Sequence, residues 1–251
     1  MVHRFSRTEM LIGREGMDIL AASRVAVFGI GGVGSFAAEA LARAGVGALV
    51  LVDHDDVYVT NINRQIHATT STVGRAKVEV MRERILDINP EARVTAIKMK
   101  YNSDSASALL KKDYDYVIDA IDMVTAKLDL ITRCVSMGIP IISSMGAGNK
   151  LDPTLFKVAD IYETSACPLA KVIRKELRKR NINALKVVYS VESPIPQRIN
   201  SKDEWAEEGC CGEKGAARKN VPGSISFVPS AAGLILAAEV IKDLLAWGRK
   251  N

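Results

Sequence analysis

The sequence predicts an α/β protein of the Rossmann type, with a mainly parallel sheet, helices on both faces and a C-terminal extension. Two observations predict this fold class. Through the first half of the chain, short runs of β-branched residues alternate with longer stretches at helical spacing, which is typical of βαβ units. A glycine-rich turn at Gly29–Gly34 also joins the first run to the first helical stretch, as in sheets that bind nucleotides.

Eight extended segments are predicted from runs of β-branched and apolar residues. Five fall before residue 150: Val25–Phe28, Leu49–Val52, Arg93–Lys98, Tyr116–Ile118 and Pro140–Ser143. Three follow later: Leu155–Ile161, Leu185–Val191 and Ser224–Val228.

Four helices are predicted from apolar residues at helical spacing and from the residues that end them. The first, Ser35–Ala44, stops at Gly45, and the second, Lys77–Ile88, stops before Pro90. The third begins near Pro168 and is rich in basic residues, and Ala231–Trp247 closes the fold. The first two helices return the chain between parallel strands.

Composition and length favour one soluble domain spanning residues 1–251, with 48% hydrophobic and 25% charged residues. Its nucleotide-binding core is predicted at 1–152 and its extension at 153–251, where 193–223 is expected to be a mobile loop or lid. The polar start lacks signal-peptide features, and the longest apolar run falls well short of the roughly 20 residues of a membrane span. We therefore expect a cytoplasmic protein without membrane contact.

The glycine turn is the first candidate binding element. Backbone amides of such a turn approach a phosphate at the N-terminus of the helix that follows. Asp53, at the end of the next strand, lies about where a ribose-binding carboxylate is expected. NAD and ATP fit these two features equally well. The alternative to a binding site is a glycine turn that only packs the helix on the strand.

The residues after Asp53 favour ATP over NAD. The stretch Asp53–Gln65 is densely polar, and Gly74–Lys77 follows it. A nucleotide triphosphate carries several negative charges, and its leaving pyrophosphate needs cations most in the transition state, whereas hydride transfer has no such need. Arg64 and Lys77 are the candidate cations, with a solvated surface pair as the alternative.

Two carboxylates follow the strand Tyr116–Ile118, at the edge where parallel sheets bind ligands. Asp122 is predicted to hold Mg²⁺ on the phosphates, because Mg²⁺ takes oxygen ligands. Asp119 has a second interpretation as the cap of the following helix.

At these residues the chain resembles the ubiquitin-activating-enzyme-like superfamily, which includes the molybdopterin-synthase adenylyltransferase and ThiF, over residues 4–160. The resemblance implies an ATP-dependent adenylyltransferase, usually a homodimer, in which Asp53 contacts ribose and Arg64 and Lys77 contact phosphates. It also implies that Arg7, with Arg4 and Arg14 close by in the sequence, reaches into the site of the partner subunit. The implied nucleotide-binding residues are Gly29, Gly31, Gly32, Gly34, Asp53, Asp55, Asn61, Arg64, Gln65, Lys77 and Asp122, and the implied catalytic residues are Arg64, Lys77, Asp122 and Arg7.

Further segments make the chain similar to the tRNA threonylcarbamoyladenosine dehydratase family over nearly its whole length. They are Ile118–Asp122, Gly146–Gly148, Asp152–Thr154 and Pro168–Ala170. This resemblance implies ATP-dependent dehydration of threonylcarbamoyladenosine next to the tRNA anticodon. The threonine carboxylate is adenylated, and a heteroatom of the carbamoyl group then expels AMP as a ring closes.

Two other functions stay open. One is an adenylyltransferase that activates the C-terminus of a ubiquitin-like sulfur carrier, with a sulfur-carrier or cysteine-desulfurase system as its partner. Such enzymes usually bear two C-x-x-C zinc pairs, which this sequence lacks, and Val221–Pro229 lacks the reactive cysteine that some dehydratases carry there. The other is a nucleotide-binding scaffold without turnover, which would release no pyrophosphate.

The basic helix is the candidate tRNA surface. The chain has a net charge of +5 and concentrates cations in this helix, where Arg174, Lys175, Arg178 and Arg180 are expected to contact the tRNA backbone. The alternative is a solvated helix whose apolar side packs on the core. The adjacent residues Cys210 and Cys211 are interpreted as ordinary thiols instead of a redox or metal site.

Overall fold

A computed structural model of the chain describes residues 2–199 and 222–247. Most of the loop predicted at 193–223 lies outside the described residues, as do Cys210 and Cys211.

One seven-stranded sheet forms the centre of the described chain, in the order β3-β2-β1-β4-β5-β7-β6. Its strands are β1 Arg24–Phe28, β2 Ala48–Asp53, β3 Arg93–Lys98, β4 Tyr116–Asp119, β5 Ile141–Ser144, β6 Phe156–Asp160 and β7 Lys186–Ser190. Every pairing is parallel except that of β6 with β7. All the predicted extended segments but the last are therefore confirmed as strands.

Helices cover both faces of the sheet, which confirms the predicted fold class. They are α1 Ser6–Ala22, α2 Gly34–Ala44, α3 Lys77–Ile88, α4 Ala106–Leu109, α5 Val124–Met137, α6 Pro168–Lys179 and α7 Phe227–Leu244. One apolar core joins α2, α3 and α7 to one face of β1, β2 and β4. Two further cores pack α5, together with α4 and with α6, against the other face. Among the helices described, none has the length and apolar character needed to span a membrane.

Strand β1 shows why the sheet needs cover on both faces. Val25 and Val27 belong to one core and Ala26 and Phe28 to another, and all four side chains are fully buried. Successive side chains of a strand point to opposite faces, so a strand that is apolar at every position needs helices on both sides.

The predicted strand at Ser224–Val228 was wrong. Residues 222–225 are irregular, and α7 begins at Phe227, four residues before the predicted start of the closing helix. Pro229 lies in the first turn of α7, where the missing N–H has no intrahelical acceptor to lose. Val228 and Ala232, one turn apart, are buried in the core that contains α2, so tertiary packing overrides the strand propensity of the β-branched run.

Helix α1 has no counterpart among the predicted elements. Gly13 interrupts it with a φ of 70°, and its fully buried positions are few. Met10 and Leu11 are 83% and 78% exposed, so the apolar stripe that helix prediction depends on is thin.

The sheet order reverses between β1 and β4, which opens a crevice at their C-terminal ends. The glycine turn after β1 meets the loop after β4 there, because a Cβ on Gly29 would lie 2.7 Å from the carbonyl oxygen of Ala120. The fold thus brings the glycine turn and the loop that carries Asp122 to one place.

Candidate functional site

The glycine turn presents bare backbone to the crevice. Gly29 has a φ of 90°, and a Cβ on Gly34 would overlap the carbonyl oxygen of Gly29, so the packing of the chain itself requires these two glycines. Gly31 differs, because no atom lies within 4 Å of the place where its Cβ would be. Packing of a helix on a strand therefore does not account for Gly31.

Amide groups of the turn are arranged to bind an anion. Ile30 donates its N–H to the carboxylate of Asp53 at 2.6 Å, whereas the N–H groups of Gly31 and Gly32 have no acceptor in the described part of the chain. Because α2 begins at Gly34, these donors stand at a helix N-terminus, where the helix dipole favours negative charge. The turn can therefore cradle a phosphate group.

Asp53 and Asp55 connect the turn to α3. The Asp53 carboxylate also accepts the N–H of Asp55 at 2.9 Å, which fixes it beside the turn. Asp55 accepts a hydrogen bond from Nζ of Lys77 at 2.7 Å. Lys77 begins α3 and is only 4% exposed, so the alternative of a solvated surface residue is wrong for this lysine.

Arg64 is a half-buried cation that lies against the glycine turn. Its guanidinium donates to the carbonyl oxygen of Thr60 at 2.8 Å and to Oδ1 of Asn63 at 2.9 Å. Its Cγ lies 3.4 Å from the place where a Cβ on Gly32 would be. Burial lowers the pKa of Arg64, and no carboxylate pairs with its guanidinium among the described residues. A cation that has lost part of its hydration without gaining a carboxylate is suited to an anionic ligand.

The remaining predicted residues of this stretch are buried. Asn61 accepts the N–H of Tyr58 at 3.1 Å with its Oδ1, so its side chain shapes the local turn. Gln65 is 5% exposed, and its Oε1 has no hydrogen-bond partner among the residues that the structure describes. Both predicted residues are thus buried instead of solvated.

His67, to which the sequence assigned no role, is buried in the same stretch. Neither of its ring nitrogens has a partner within residues 2–199 and 222–247. Loss of hydration, together with the positive charges of Lys77 and Arg84, lowers its pKa to about 4. The ring is therefore neutral at neutral pH.

Asp119 does not cap a helix, so its second interpretation was wrong. It is fully buried and pairs with the equally buried Lys127 at 2.8 Å, while Ser143 donates to the same carboxylate at 2.6 Å. Two buried charges need each other and further hydrogen bonds, which the Ser143 hydroxyl and the Ser144 carbonyl supply. Asp122, three residues further on in the loop after β4, is exposed.

Residues before and within α7 complete the crevice, and the sequence did not predict them. The carbonyl oxygen of Ser224 accepts a hydrogen bond from Nδ2 of Asn63 at 2.9 Å. Pro229 lies 3.2 Å from the Cβ position of Gly32, and the Cβ position of Gly233 lies 2.9 Å from Cβ of Phe36 in α2. These contacts could not be predicted once residues 224–228 were assigned to a strand, because a strand would have placed them in the sheet and not at the crevice.

Three basic residues in and just after α6 are engaged within the chain: Arg174, Lys179 and Arg180. Arg174 donates to the carbonyl oxygen of Thr164 at 2.8 Å and to its hydroxyl at 2.7 Å. Arg180 pairs with Glu176 at 2.8 Å. Hydrogen bonds from Lys179 and Arg180 lower the pKa of Glu176 to about 2. The Arg174 contacts join the helix to the segment around Thr164, and the contacts of Glu176 stabilise the C-terminal end of the helix.

The other basic residues of α6 face outward. Lys171 and Lys175 are exposed one turn apart and have no carboxylate partner in the described part of the chain, and Arg178 continues the same side. The Arg178 guanidinium lies 5.3 Å from the ring centre of Tyr162. We call Lys171, Lys175 and Arg178 the basic stripe.

Arg7 is exposed on α1 and forms no ion pair with the residues that the structure describes. Of its two neighbours, Arg14 is also exposed, whereas Arg4 donates to the carbonyl oxygen of Ile88 at 2.7 Å. Arg7 is thus available to a second subunit.

The chain is similar to known proteins in sequence and in fold. A model of the ThiF family matches residues 5–251. The tRNA threonylcarbamoyladenosine dehydratase of Bacillus subtilis (strain 168) is 52% identical over 246 residues, which cover 98% of this chain and 96% of that protein. The Sulfur carrier protein ThiS adenylyltransferase of Escherichia coli (strain K12) is 36% identical over 152 residues, covering 59% of this chain and 60% of that protein.

Two solved structures match as well. The crystal structure of E. coli tRNA N6-threonylcarbamoyladenosine dehydratase in complex with ATP has a TM-score of 0.83 and 37% identity, and covers 99% of this chain and 96% of that chain. The crystal structure of the same enzyme in complex with AMP has a TM-score of 0.85 and 36% identity over the same shares.

Proposed function

Because the chain belongs to the ThiF family, we propose that it is an ATP-dependent tRNA threonylcarbamoyladenosine dehydratase. Its substrate is the threonylcarbamoyladenosine next to the anticodon, from which it removes one water as a ring closes. The support is a dehydratase relative matched over nearly the full length of both chains, and a solved relative in complex with ATP.

The reaction has two steps. An oxygen of the threonine carboxylate attacks the α-phosphorus of ATP, the bond to the bridging oxygen breaks, and pyrophosphate leaves. A heteroatom of the carbamoyl group then attacks the acyl carbon and loses its proton, and AMP leaves with the former carboxylate oxygen. Because nucleophile and acyl group share one substituent, an effective molarity of about 10⁵ M or more makes a protein nucleophile unnecessary.

The observation that carries this proposal is the half-buried Arg64 beside the open face of the glycine turn. Among the described residues, the Arg64 guanidinium has no carboxylate partner, and the N–H groups of Gly31 and Gly32 beside it have no acceptor. Donors and cations fixed before the reaction stabilise charge as it develops on the phosphates. Lys77 would join them by exchanging Asp55 for a phosphate oxygen.

Mg²⁺ fits the acidic residues of the crevice. Asp122 is an exposed carboxylate beside the turn, and ligand atoms of Asp53, His54 and Asp55 lie within 4.8 Å of one another. Mg²⁺ is usually held by one or two carboxylates together with the phosphates of its nucleotide. We assign Asp122 as its protein ligand, and the ion would neutralise charge on the phosphates.

The basic stripe is our proposed contact with the tRNA backbone. It includes Lys175 and Arg178 of the predicted contacts and adds Lys171, whose side chain is exposed on the same side of α6. Arg174 and Arg180 support the helix through Thr164 and Glu176. A tRNA substrate also agrees with the cytoplasmic location that the sequence predicts.

We further propose a homodimer in which Arg7 completes the partner's site. Arg7 is exposed on α1, and the next turn of that helix carries Met10 and Leu11, which are 83% and 78% exposed. Neighbouring exposed apolar side chains of this size are typical of a surface that another subunit covers.

The test is to incubate the protein with ATP, Mg²⁺ and tRNA carrying threonylcarbamoyladenosine, digest the tRNA, and weigh its nucleosides by mass spectrometry. We expect the modified nucleoside to lose one water only when ATP is present. Lys77→Ala should abolish this loss, whereas Arg82→Ala, an exposed residue of the same helix paired with Glu79, should not.

Two other results would contradict the proposal. An unchanged nucleoside, together with pyrophosphate exchange into ATP that depends on a ubiquitin-like carrier, would favour the sulfur-carrier enzyme. ATP binding without pyrophosphate release would favour the scaffold.

A further inference from the structure

Asn63 joins two parts of the chain that are far apart in the sequence. Its Oδ1 accepts a hydrogen bond from the Arg64 guanidinium at 2.9 Å, and its Nδ2 donates to the carbonyl oxygen of Ser224 at 2.9 Å. Asn63 and Ser224 are separated by 161 positions. Only a side chain that both accepts and donates can make these two contacts, and the asparagine amide does so.

Asn149 holds the same segment from the other side. Its N–H donates to the carbonyl oxygen of Gly223 at 2.8 Å, and its Oδ1 accepts the N–H of Gly223 at 2.7 Å. Its own carbonyl oxygen accepts the N–H of Ile195 at 2.8 Å. The strap, as we call residues 222–224, is therefore fastened both to the loop after β5 and to Asn63.

The backbone of Asn149 is in the left-handed region, with a φ of 56°. Asparagine and glycine adopt this conformation at little cost, and most other residues do not. The position thus combines a backbone geometry that few residues tolerate with a side chain that reaches the strap. Both properties are needed for the paired hydrogen bonds to Gly223.

We infer that Asn63 is a positioning residue for Arg64, and that the strap, held by Asn149, is the anchor against which Asn63 fixes the guanidinium. The inference rests on the proposed function, because that function assigns Arg64 to the phosphates of ATP. A guanidinium whose direction is set in advance loses less side-chain freedom when the phosphate arrives.

The contacts from Asn149 through the strap and Asn63 to Arg64 predict which substitution weakens ATP binding more. Without Asn63, the Thr60 carbonyl is the one hydrogen-bond acceptor left to Arg64 among the described residues. Without the Asn149 side chain, the strap keeps its contact with Asn63 but loses one of its own fastenings. The first loss should therefore weaken ATP binding more than the second.

The first experiment measures ATP binding to the full chain by isothermal titration calorimetry. Asn63→Ala should raise the Kd for ATP about tenfold, because it removes a hydrogen bond to a charged group at the phosphate site. The melting temperature of the nucleotide-free protein should stay within a few degrees of the wild-type value, since Asn63 is exposed. A purely structural role would give the opposite result, a lower melting temperature with an unchanged Kd.

The second experiment asks whether the two asparagines act through the strap. Asn149→Gly keeps the left-handed backbone and removes the side chain, and should raise the Kd for ATP about threefold. Its matched control is Asn181→Gly, because Asn181 also has a φ of 56° but lies after α6. The control should bind ATP like the wild-type protein.

The double variant decides the mechanism. If Asn149 acts on Arg64 only through Asn63, then Asn149→Gly should add nothing to Asn63→Ala, and the Kd should stay about tenfold above wild type. Additive effects, a rise of about thirtyfold, would overturn the inference, as would wild-type affinity in Asn63→Ala. If the wild-type protein itself neither bound ATP nor dehydrated tRNA, it is the proposed function that would fail.

Discussion

The glycines of the turn between β1 and α2 look alike in the sequence and differ in what surrounds them. Gly34 is required by the fold, because a Cβ there would overlap the Gly29 carbonyl oxygen. Gly31 faces open space, so the chain has room for a methyl group where we expect a phosphate. The same residue type therefore serves packing at one position and binding at another.

A pair of alanine variants separates these roles. Gly31→Ala should leave the free energy of unfolding within about 0.5 kcal/mol of the wild-type value and weaken ATP binding at least tenfold. Gly34→Ala should lower the free energy of unfolding by about 1–3 kcal/mol or more, because the methyl group displaces backbone. Urea unfolding and calorimetric titration with ATP measure the two effects. Wild-type affinity in Gly31→Ala would contradict a phosphate at this position.

The roles of the charged site residues could be predicted from the sequence. The roles of residues that act through contacts with distant parts of the chain could not. Arg64 and Lys77 stand out because cations that follow a glycine turn in the sequence indicate a phosphate site. Asn63 is one of several polar residues in its stretch, and its role depends on Ser224, 161 positions away. Lys127 lies among apolar residues of α5, and its partner becomes evident only when β4 and α5 are packed together.

At the scale of elements, α6 divides its surface between the core and solvent. Ile173 and Leu177 are fully buried, Arg174 is tied to Thr164, and the basic stripe faces outward. The two functional alternatives for this helix are therefore compatible, because its apolar side and its basic stripe occupy different faces.

If the basic stripe contacts tRNA, substitutions in it should change tRNA affinity, whereas substitution of Arg174 should change the stability of the protein. Lys171→Ala combined with Lys175→Ala should weaken tRNA binding and reduce the slope of log K against log salt by about 0.7–0.9 for each lost phosphate contact. Arg174→Ala should instead lower the melting temperature, since it removes two hydrogen bonds to Thr164. Filter binding at several salt concentrations and thermal melting distinguish them. An unchanged salt slope in the double variant would exclude the stripe as a phosphate contact.

Elements were predicted well where local pattern and packing agree. Strand β3 and helix α3 have the predicted bounds, because each has a clear periodicity and a clear stop signal. Residues 224–228 were wrongly predicted as a strand and the start of α7 was placed four residues too late, because a β-branched run is strand-like in isolation and helical when packed on α2. Helix α1 was missed, because Gly13 and exposed apolar residues conceal its period.

At the scale of the whole molecule, stability should depend on pH through His67. Its pKa of about 4 in the folded chain is below the value of about 6.5 expected when unfolded. The unfolded state then binds more protons between these values, so stability is complete above about pH 6.5 and declines as the pH falls toward 4. Glu176, with a pKa of about 2, acts only at lower pH.

Urea unfolding at pH 7 and pH 5 measures this effect. The free energy of unfolding should fall by about 2 kcal/mol between them. His67→Gln should remove most of the fall, because glutamine does not titrate, whereas His3→Gln, at an exposed position, should keep it. An equal fall in His67→Gln and wild type would show that another group is responsible.

A homodimer with Arg7 acting in the partner's site predicts complementation between inactive variants. Arg7→Ala and Arg64→Ala should each be inactive alone. When both are co-expressed in equal amounts, half of the dimers are mixed and each mixed dimer holds one intact site, so about a quarter of wild-type activity should return. Activity assays on the co-purified mixture measure this. A mixture as inactive as its components would mean that Arg7 serves its own subunit or none.

The packing of α7 on α2 has a consequence for the order of synthesis. The glycine turn is made early, but Pro229 and Gly233, which close on it and on α2, leave the ribosome about 200 residues later, on the order of 10 to 40 s at ordinary translation rates. Until then the surface of α2 that receives α7 is uncovered and available to chaperones. Nascent chains should therefore acquire ATP only after α7 has emerged.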